Sequence, residues 1–223
     1  MGRDNQPKAR QLARREQKDA RRASYPRILI VSEGSKTEPL YFDEIRAAYR
    51  LHSANVEVQP SQLGTAPIQV VQYAKQIFEK GSRHKGIRPR SFDQVYAVFD
   101  RDDHPSYFDA LDLAASMDGT LRNEDKQPVS FKAIPSVPSF ELWLLLHYKN
   151  IQAPIHRDDV MRRLKLCIPD YEKGAGGTFA KTSTRRDTAT ERAKALAARF
   201  NARTLGPYTA IAELVTVLTK LRE

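Results

Sequence analysis

The chain has 223 residues, which is enough for one α/β domain and a modest extension. Its longest apolar run, Leu142 to Leu146, is far too short to span a bilayer, and the polar, basic N-terminus is unlike a secretory signal. The single cysteine, Cys167, excludes an internal disulfide and a cysteine-based zinc site. We therefore expect a cytoplasmic protein with no membrane partner.

Positive charge is concentrated at the N-terminus. The net charge is +10, and residues 1–23 hold eight Arg or Lys against three acidic residues. Such a segment attracts polyanions because binding releases their condensed counterions. A solvated tail that only aids solubility is the alternative interpretation. If the partner is nucleic acid, DNA or RNA, the candidate phosphate contacts are Arg10, Arg14, Arg15, Arg21 and Arg22.

The order of apolar patterns predicts an α/β fold. Strands are predicted at 27–32, 56–58, 95–99 and 129–134, and helices at 37–51, 67–78, 108–115, 140–148, 158–166, 187–203 and 209–221. Alternating strands and helices favour a mostly parallel sheet of about four strands with helices on both faces. The predicted divisions are a basic flexible arm (1–25), an α/β core (26–149) and a helical C-terminal extension (150–223).

Acidic residues follow two of the predicted strands. Glu33 comes directly after the first strand and Asp100 directly after the third, and parallel sheets bind ligands at the carboxyl ends of their strands. Asp102 lies two positions beyond Asp100, so in extended backbone both side chains point the same way. Three convergent carboxylates need a cation, and oxygen ligands select Mg²⁺ or Mn²⁺. With a phosphate substrate, such an ion activates water and offsets developing charge.

Each part of this pattern also has a simpler explanation. Gly34 and Ser35 are typical of a turn that only reverses the chain, and Asp102 or Asp103 suits a helix N-cap ahead of Pro105. An Asp-x-Asp after one strand is therefore weak evidence by itself. The placement of acids at two strand ends is what strengthens the metal-site hypothesis.

Several ordered motifs resemble the RloB-like family over roughly residues 26–222. They are Glu33-Gly34-Ser35-Lys36-Thr37-Glu38-Pro39-Leu40-Tyr41-Phe42, Phe99-Asp100-Arg101-Asp102-Asp103, Pro138-Ser139-Phe140-Glu141-Leu142-Trp143 with His147, Tyr171-Glu172-Lys173, and Gly206-Pro207-Tyr208-Thr209. The basic arm matches none of the family's motifs.

The resemblance implies a Toprim-like, Rossmannoid fold, shared with topoisomerases, bacterial primases and overcoming-lysogenization-defect nucleases. It implies that Glu33 is a proton shuttle or metal ligand and that Asp100 and Asp102 bind Mg²⁺. The family is associated with abortive-infection defence and restriction loci, often beside an AAA-type ATPase, which would then be a partner of this chain.

Other residues are secondary candidates. An unpaired carboxylate would be costly on the apolar helix that carries Glu141, so we expect it to meet a metal or a basic partner. Asp103 and Glu38 would complete a second metal site, with surface caps an equal alternative. Lys36 and Lys173 would hold the scissile phosphate or neutralise the acids, whereas solvated lysines are more common.

The leading hypothesis is a metal-dependent nuclease that acts in antiviral defence. The alternative is a non-catalytic module that binds nucleic acid or an ATPase partner, and the complete acidic triplet argues against it. Nucleotide-sugar transfer would leave Glu33 and the arm unexplained. Topoisomerase activity is not expected, because the chain has no room for gate domains. Primase activity is not expected either, because the sequence has no zinc-binding module. DNA versus RNA, endo versus exo cleavage, the activating signal, the need for an ATPase and the oligomeric state stay open.

Overall fold

A computed structural model describes residues 25–101 and 104–221, which form one five-stranded sheet with helices on both faces. The strands are β1 (Ile28–Ser32), β2 (Val56–Pro60), β3 (Gln94–Asp100), β4 (Ser130–Val137) and β5 (Tyr208–Thr209). Within the described residues the α-helices are α1 (Thr37–Ala48), α2 (Pro67–Lys80), α3 (Tyr107–Met117), α4 (Glu141–Leu146), α5 (Arg157–Cys167), α6 (Thr178–Thr182), α7 (Arg186–Ala197) and α8 (Ile211–Lys220). A 3₁₀ turn, Ser183–Arg185, joins α6 to α7.

The sheet has the order β2-β1-β3-β4-β5, and its first four strands are parallel. All five residues of β1 are buried because the strand pairs with β2 on one side and β3 on the other, and helices cover both its faces. The predicted α/β fold with a mostly parallel sheet is therefore confirmed.

Two hydrophobic clusters lie on opposite faces of this sheet. Ile28 and Ile30 belong to the cluster that includes α1 and α4 to α8, whereas Leu29 and Val31 belong to the cluster of α2 and α3. Alternation of side chains along a strand explains this division. The helices of the 150–223 segment thus pack in the same cluster as α1.

The prediction of about four strands misses β5, and the prediction of a helix from Thr209 is wrong at its start. Tyr208 and Thr209 pair antiparallel with the end of β4, and α8 begins two residues later. The Thr209 hydroxyl lies 3.1 Å from that of Ser136, and the Ala210 N–H donates to the carbonyl of Pro135 (3.0 Å). These long-range bonds outweigh the local helical pattern.

Helix α4 is buried between layers, as the apolar run predicts, but it is shorter than the 140–148 segment. All six of its residues are buried, including Glu141. Among residues 25–101 and 104–221, no helix has both the length and the apolar character needed to cross a bilayer. The fold brings the start of α1, the end of β3 and the start of α4 to the carboxyl edge of the sheet.

Candidate functional site

The first two predicted acids meet at the carboxyl edge. The backbone N–H of Glu33 donates to the carbonyl of Val98 (2.9 Å), which ties the end of β1 to β3. The Glu33 side chain then reaches the next strand end, where its Oε2 accepts a hydrogen bond from the backbone N–H of Asp100 (3.0 Å). The structure therefore brings together two residues that are 67 positions apart in the sequence.

The other two residues of the predicted acidic motif, Asp102 and Asp103, lie outside the described residues. Their roles as metal ligands stay predictions. Within the described ranges, no group of three or more His, Cys, Asp or Glu side chains is arranged to hold a metal ion. The structure brings the Glu33 carboxylate to the backbone of Asp100, and the roles of these two residues as metal ligands also stay predictions.

A second pair of acids, Glu38 of α1 and Glu141 of α4, lies buried beside this edge. Their exposed fractions are 9% and 3%, and Glu38 Oε2 has no hydrogen-bond partner among the described residues. Burial raises the pKa of Glu38, and the negative charge of Glu141 raises it further, although its own backbone hydrogen bond and Lys173 oppose this. Two buried carboxylates whose charges act on each other favour a shared proton or a cation.

Glu141 has the basic partner that the sequence predicts as one of its two options. Lys173 Nζ lies 3.1 Å from Glu141 Oε1, and the Tyr171 hydroxyl donates to the same oxygen (3.2 Å). The lysine side chain is half-exposed, so its ammonium group faces solvent as well as the carboxylate. This position allows Lys173 to meet an anion that approaches the edge.

The two pairs of acids form one site. Burial raises the pKa of Tyr171, and the charges of Glu141, Glu38 and Asp100 raise it further. Charges from both pairs of acids thus act on one buried hydroxyl, which itself donates a hydrogen bond to Glu141. We refer to Glu33, Glu38, Asp100 and Glu141 as the acidic site.

Sequence reasoning missed the burial of Glu38, for which a surface cap was an equal interpretation. The available signal was Gly34, because a Cβ atom there would lie 2.0 Å from Glu38 Oε2. A side chain at position 34 would therefore require the Glu38 carboxylate to shift. Gly34 therefore has a packing role in addition to its role in the turn.

The loop that carries Lys173 is fastened to α1. The Gly174 N–H donates to the Thr37 hydroxyl (3.0 Å), and the Glu44 carboxylate accepts hydrogen bonds from the backbone N–H groups of Gly177 and Phe179. The same helix thus holds Glu38 and fixes the loop that places the lysine against Glu141.

Lys36 precedes α1 and is exposed. Its side chain packs on Gly174, where an added Cβ would lie 2.9 Å from Lys36 Cβ. Lys36 is therefore placed near the acidic site and the Lys173 loop. Its predicted contact with the scissile phosphate stays a prediction.

The predicted arm contacts Arg10, Arg14, Arg15, Arg21 and Arg22 lie outside the described residues. The first described residue, Tyr25, is held at the opposite edge of the sheet. Its hydroxyl accepts a hydrogen bond from the His52 N–H (2.6 Å), and its carbonyl accepts one from Asn55 Nδ2 (2.9 Å). The five residues of β1, roughly 17 Å of extended chain, therefore lie between Tyr25 and the acidic site.

His147 lies in the core and not in the acidic site. Its side chain is buried, and its Nδ1 lies 2.9 Å from the carbonyl oxygen of Trp143. Burial lowers the pKa of His147 to about 4, so the ring is neutral at pH 7. We assign it no role in the chemistry of the site.

The fold and the acidic site define a Rossmann-like α/β protein with carboxylates at the carboxyl edge of a mostly parallel sheet. A model of the RloB-like protein family matches residues 28–218, which is most of the chain. The chain belongs to the RloB-like family. Neither the curated proteins nor the solved structures that were searched gave a match.

Proposed function

We propose that this protein is a metal-dependent nuclease that hydrolyses phosphodiester bonds of nucleic acid. The observation that carries the proposal is the hydrogen bond from the Asp100 N–H to the Glu33 carboxylate, which gathers acids from separate strands at one edge. The buried Glu38 and Glu141 pair, with Lys173 beside it, adds charge of both signs to that edge.

The donor set suits Mg²⁺ or Mn²⁺, because carboxylate oxygens are the ligands that these hard ions prefer. Glu33 and Asp100, with Asp102 as the sequence predicts, would hold one ion. The unpartnered oxygen of Glu38 and the carboxylate of Glu141 would hold a second, an assignment that extends the sequence prediction for Glu141. Bound there, the metal would activate water and stabilise the charge that builds on the phosphoryl oxygens.

The protein's own groups would orient the substrate. Lys173 is half-exposed and lies next to the buried Glu141. Its ammonium group would bind the phosphate from the solvent side. Lys36, exposed at the start of α1, would approach the same phosphate. Glu33 would hold the ion or accept the proton of the attacking water, the two roles that the family resemblance implies for it.

The biological setting is part of the same proposal. Membership of the RloB-like family supports an effector role in antiviral, abortive-infection defence, with an AAA-type ATPase as partner and the cytoplasm as the compartment. The test of this part is to look for an AAA-type ATPase gene beside this one and to reconstitute cleavage with and without its product. Cleavage that requires the ATPase would support the partnership.

A direct test mixes the protein with labelled tRNA, total RNA, plasmid and single-stranded DNA in Mg²⁺, Mn²⁺ or EDTA. We expect cleavage that is abolished by EDTA, by Glu33→Ala and by Asp100→Ala. Asp158→Ala removes an exposed carboxylate of α5 and is the matched control, which should cleave normally. If every variant binds nucleic acid equally and none cleaves, even with the ATPase, the non-catalytic binding module replaces the nuclease.

A further inference from the structure

A layered cluster of arginine and aromatic side chains lies on the other side of β3 from the buried acids. The guanidinium carbon of Arg101 is 5.3 Å from the ring centre of Tyr107 and 5.1 Å from that of Phe108, and the guanidinium carbon of Arg203 is 6.0 Å from the Phe108 centre. We call Arg101, Phe108, Arg203 and Leu205, the residue after Thr204 in the same loop as Arg203, the Arg101 platform. Guanidinium groups stack on aromatic rings in this way.

The platform is held in place by contacts to backbone carbonyls. Arg101 donates a hydrogen bond to the carbonyl of Thr204, and the Tyr107 hydroxyl donates to that of Ala202 (2.8 Å). Carbonyl acceptors carry no formal charge, so these bonds fix the Arg101 side chain without cancelling its positive charge. The loop between α7 and β5 is thereby fastened to the start of α3.

Apolar groups of the platform face solvent together with its charges. Phe108 is 39% exposed and Leu205 is 82% exposed. Arg203 pairs with Asp112, but both side chains are more than half exposed, so solvent and salt screen the pair. A ligand that carries both negative charge and flat apolar surface would complement this combination.

The platform adjoins the acidic site at Asp100. Burial raises the pKa of Tyr107, Asp100 raises it further, and the positive charges of Arg101 and Arg203 lower it. Arg101 directly follows Asp100, and its backbone N–H donates to the carbonyl of Ser136 (2.8 Å), which fixes the platform's first residue at the carboxyl edge. The negative charge of Asp100 also acts on Tyr171, whose hydroxyl donates to the buried Glu141. A chain molecule that crosses the sheet edge at Asp100 would therefore meet Lys173 on one side and the platform on the other.

We propose that the Arg101 platform binds a single-stranded segment of nucleic acid beside the acidic site. Arg101 and Arg203 hold backbone phosphates, and a base stacks on Phe108 or on the guanidinium layers against it. Duplex nucleic acid keeps its bases stacked internally and cannot use the ring. The inference names the substrate class of the proposed nuclease and rests on that function for its biological meaning.

The test is fluorescence anisotropy in EDTA with labelled 12-nucleotide single-stranded RNA, single-stranded DNA and the corresponding duplexes. We expect Phe108→Ala to weaken single-strand binding by about 5- to 30-fold, because stacking of one base is lost, and to change duplex binding by less than about twofold. Phe108→Leu keeps apolar bulk without a ring and should weaken binding similarly. The single strand that binds with the higher affinity shows whether the platform prefers ribose or deoxyribose.

Two matched controls sharpen the test. Arg203→Gln should lower the slope of log affinity against log salt by about 0.7, the value for one phosphate on a single strand. Arg162→Gln breaks an equally exposed Arg–Asp pair, Arg162 with Asp159 on α5, and should leave the slope unchanged. Leu166→Ala, an exposed apolar change on the same helix, should bind like the wild-type protein.

Several outcomes would overturn the platform. They are wild-type affinity in Phe108→Leu and Arg203→Gln, equal losses in the α5 controls, equal losses for duplexes, or no single-strand binding by the wild-type protein. The assay needs no cleavage, so its failure is distinguishable from that of the nuclease proposal. If binding depends on the platform but no cleavage occurs, only the nuclease proposal is contradicted. If cleavage occurs but binding does not depend on the platform, only the platform proposal is contradicted.

Discussion

Replacing Glu38 by glutamine should have opposite effects on two properties of the protein, its free energy of unfolding without metal and its stabilisation by metal. The carboxylate is buried beside Glu141, and its Oε2 has no partner in the described part of the chain. Without metal, folding must bury two repelling carboxylates with one half-exposed lysine to offset them. An amide at position 38 removes one of these two charges.

We therefore expect Glu38→Gln to be more stable than the wild-type protein in EDTA at pH 8. An unsatisfied buried polar group costs about 1–3 kcal/mol, and part of that cost remains with the amide, so we expect a gain of about 1–2 kcal/mol. For a chain of this size the melting temperature should rise by roughly 2–4 °C per kcal/mol.

Metal should reverse this order. At a Mn²⁺ concentration 100 times the dissociation constant, a site that exists only in the folded state gains about 2.7 kcal/mol. The wild-type protein should gain this stabilisation from the position formed by Glu38 and Glu141, whereas Glu38→Gln should gain much less of it. The variant that is more stable in EDTA thus becomes the less stable one in Mn²⁺.

The pH dependence has a defined sign. The pKa of Glu38 is raised in the folded protein, so the folded state holds this proton more tightly than the unfolded state. Without metal, its contribution to the free energy of unfolding should fall as pH rises from about 4.3, the ordinary glutamate value, through the folded pKa. Glu38→Gln should lack this decline.

Urea unfolding in EDTA and in Mn²⁺, at several pH values, measures all three effects. Glu172→Gln, an exposed change beside the same lysine, is the control and should change neither stability nor its metal dependence. The reasoning is refuted if Glu38→Gln is less stable than the wild-type protein in EDTA and gains as much from Mn²⁺.

Three further predictions concern other parts of the chain. Arg27→Met removes a buried guanidinium that pairs with three carboxylates at the amino edge of the sheet, and urea unfolding should show a loss of about 3–5 kcal/mol with unchanged Mn²⁺ affinity. Gly174→Ala puts a Cβ at φ +77° against the Lys36 side chain and should displace Lys173. We expect this change to raise KM for nucleic acid more than it lowers kcat, and an unchanged KM would contradict the role of Lys173 in substrate binding. Deleting residues 1–24 should weaken nucleic-acid binding and flatten its salt dependence without changing metal affinity, and an unchanged salt slope would make the arm a spacer.

The parallel strands were predictable because burial on both faces leaves a local signal. The apolar run at 27–32 corresponds to β1, and the run at 95–99 corresponds to most of β3. The end of β4 was less predictable, since proline is expected to end a strand. Pro135 nevertheless stays within β4, where its carbonyl accepts a hydrogen bond from Ala210.

The site was predictable to the extent that strand topology determines it. Acids after two parallel strands must lie at the same edge, and Glu33 and Asp100 do. The partnership of Glu141 with Tyr171 and Lys173 depends on how α4 packs against a loop about 30 positions later, which no local pattern encodes. The Arg101 platform likewise depends on contacts between segments about 100 residues apart.

Binding of Mn²⁺ to the purified protein, followed by electron paramagnetic resonance, tests the central claim most directly. The wild-type protein and Asp158→Asn, an exposed control, should bind Mn²⁺ stoichiometrically, whereas Glu33→Gln and Asp100→Asn should each lose the ion held at the ends of β1 and β3. Equal Mn²⁺ affinity in all four proteins, or none in the wild-type protein, would contradict a cation site at this edge.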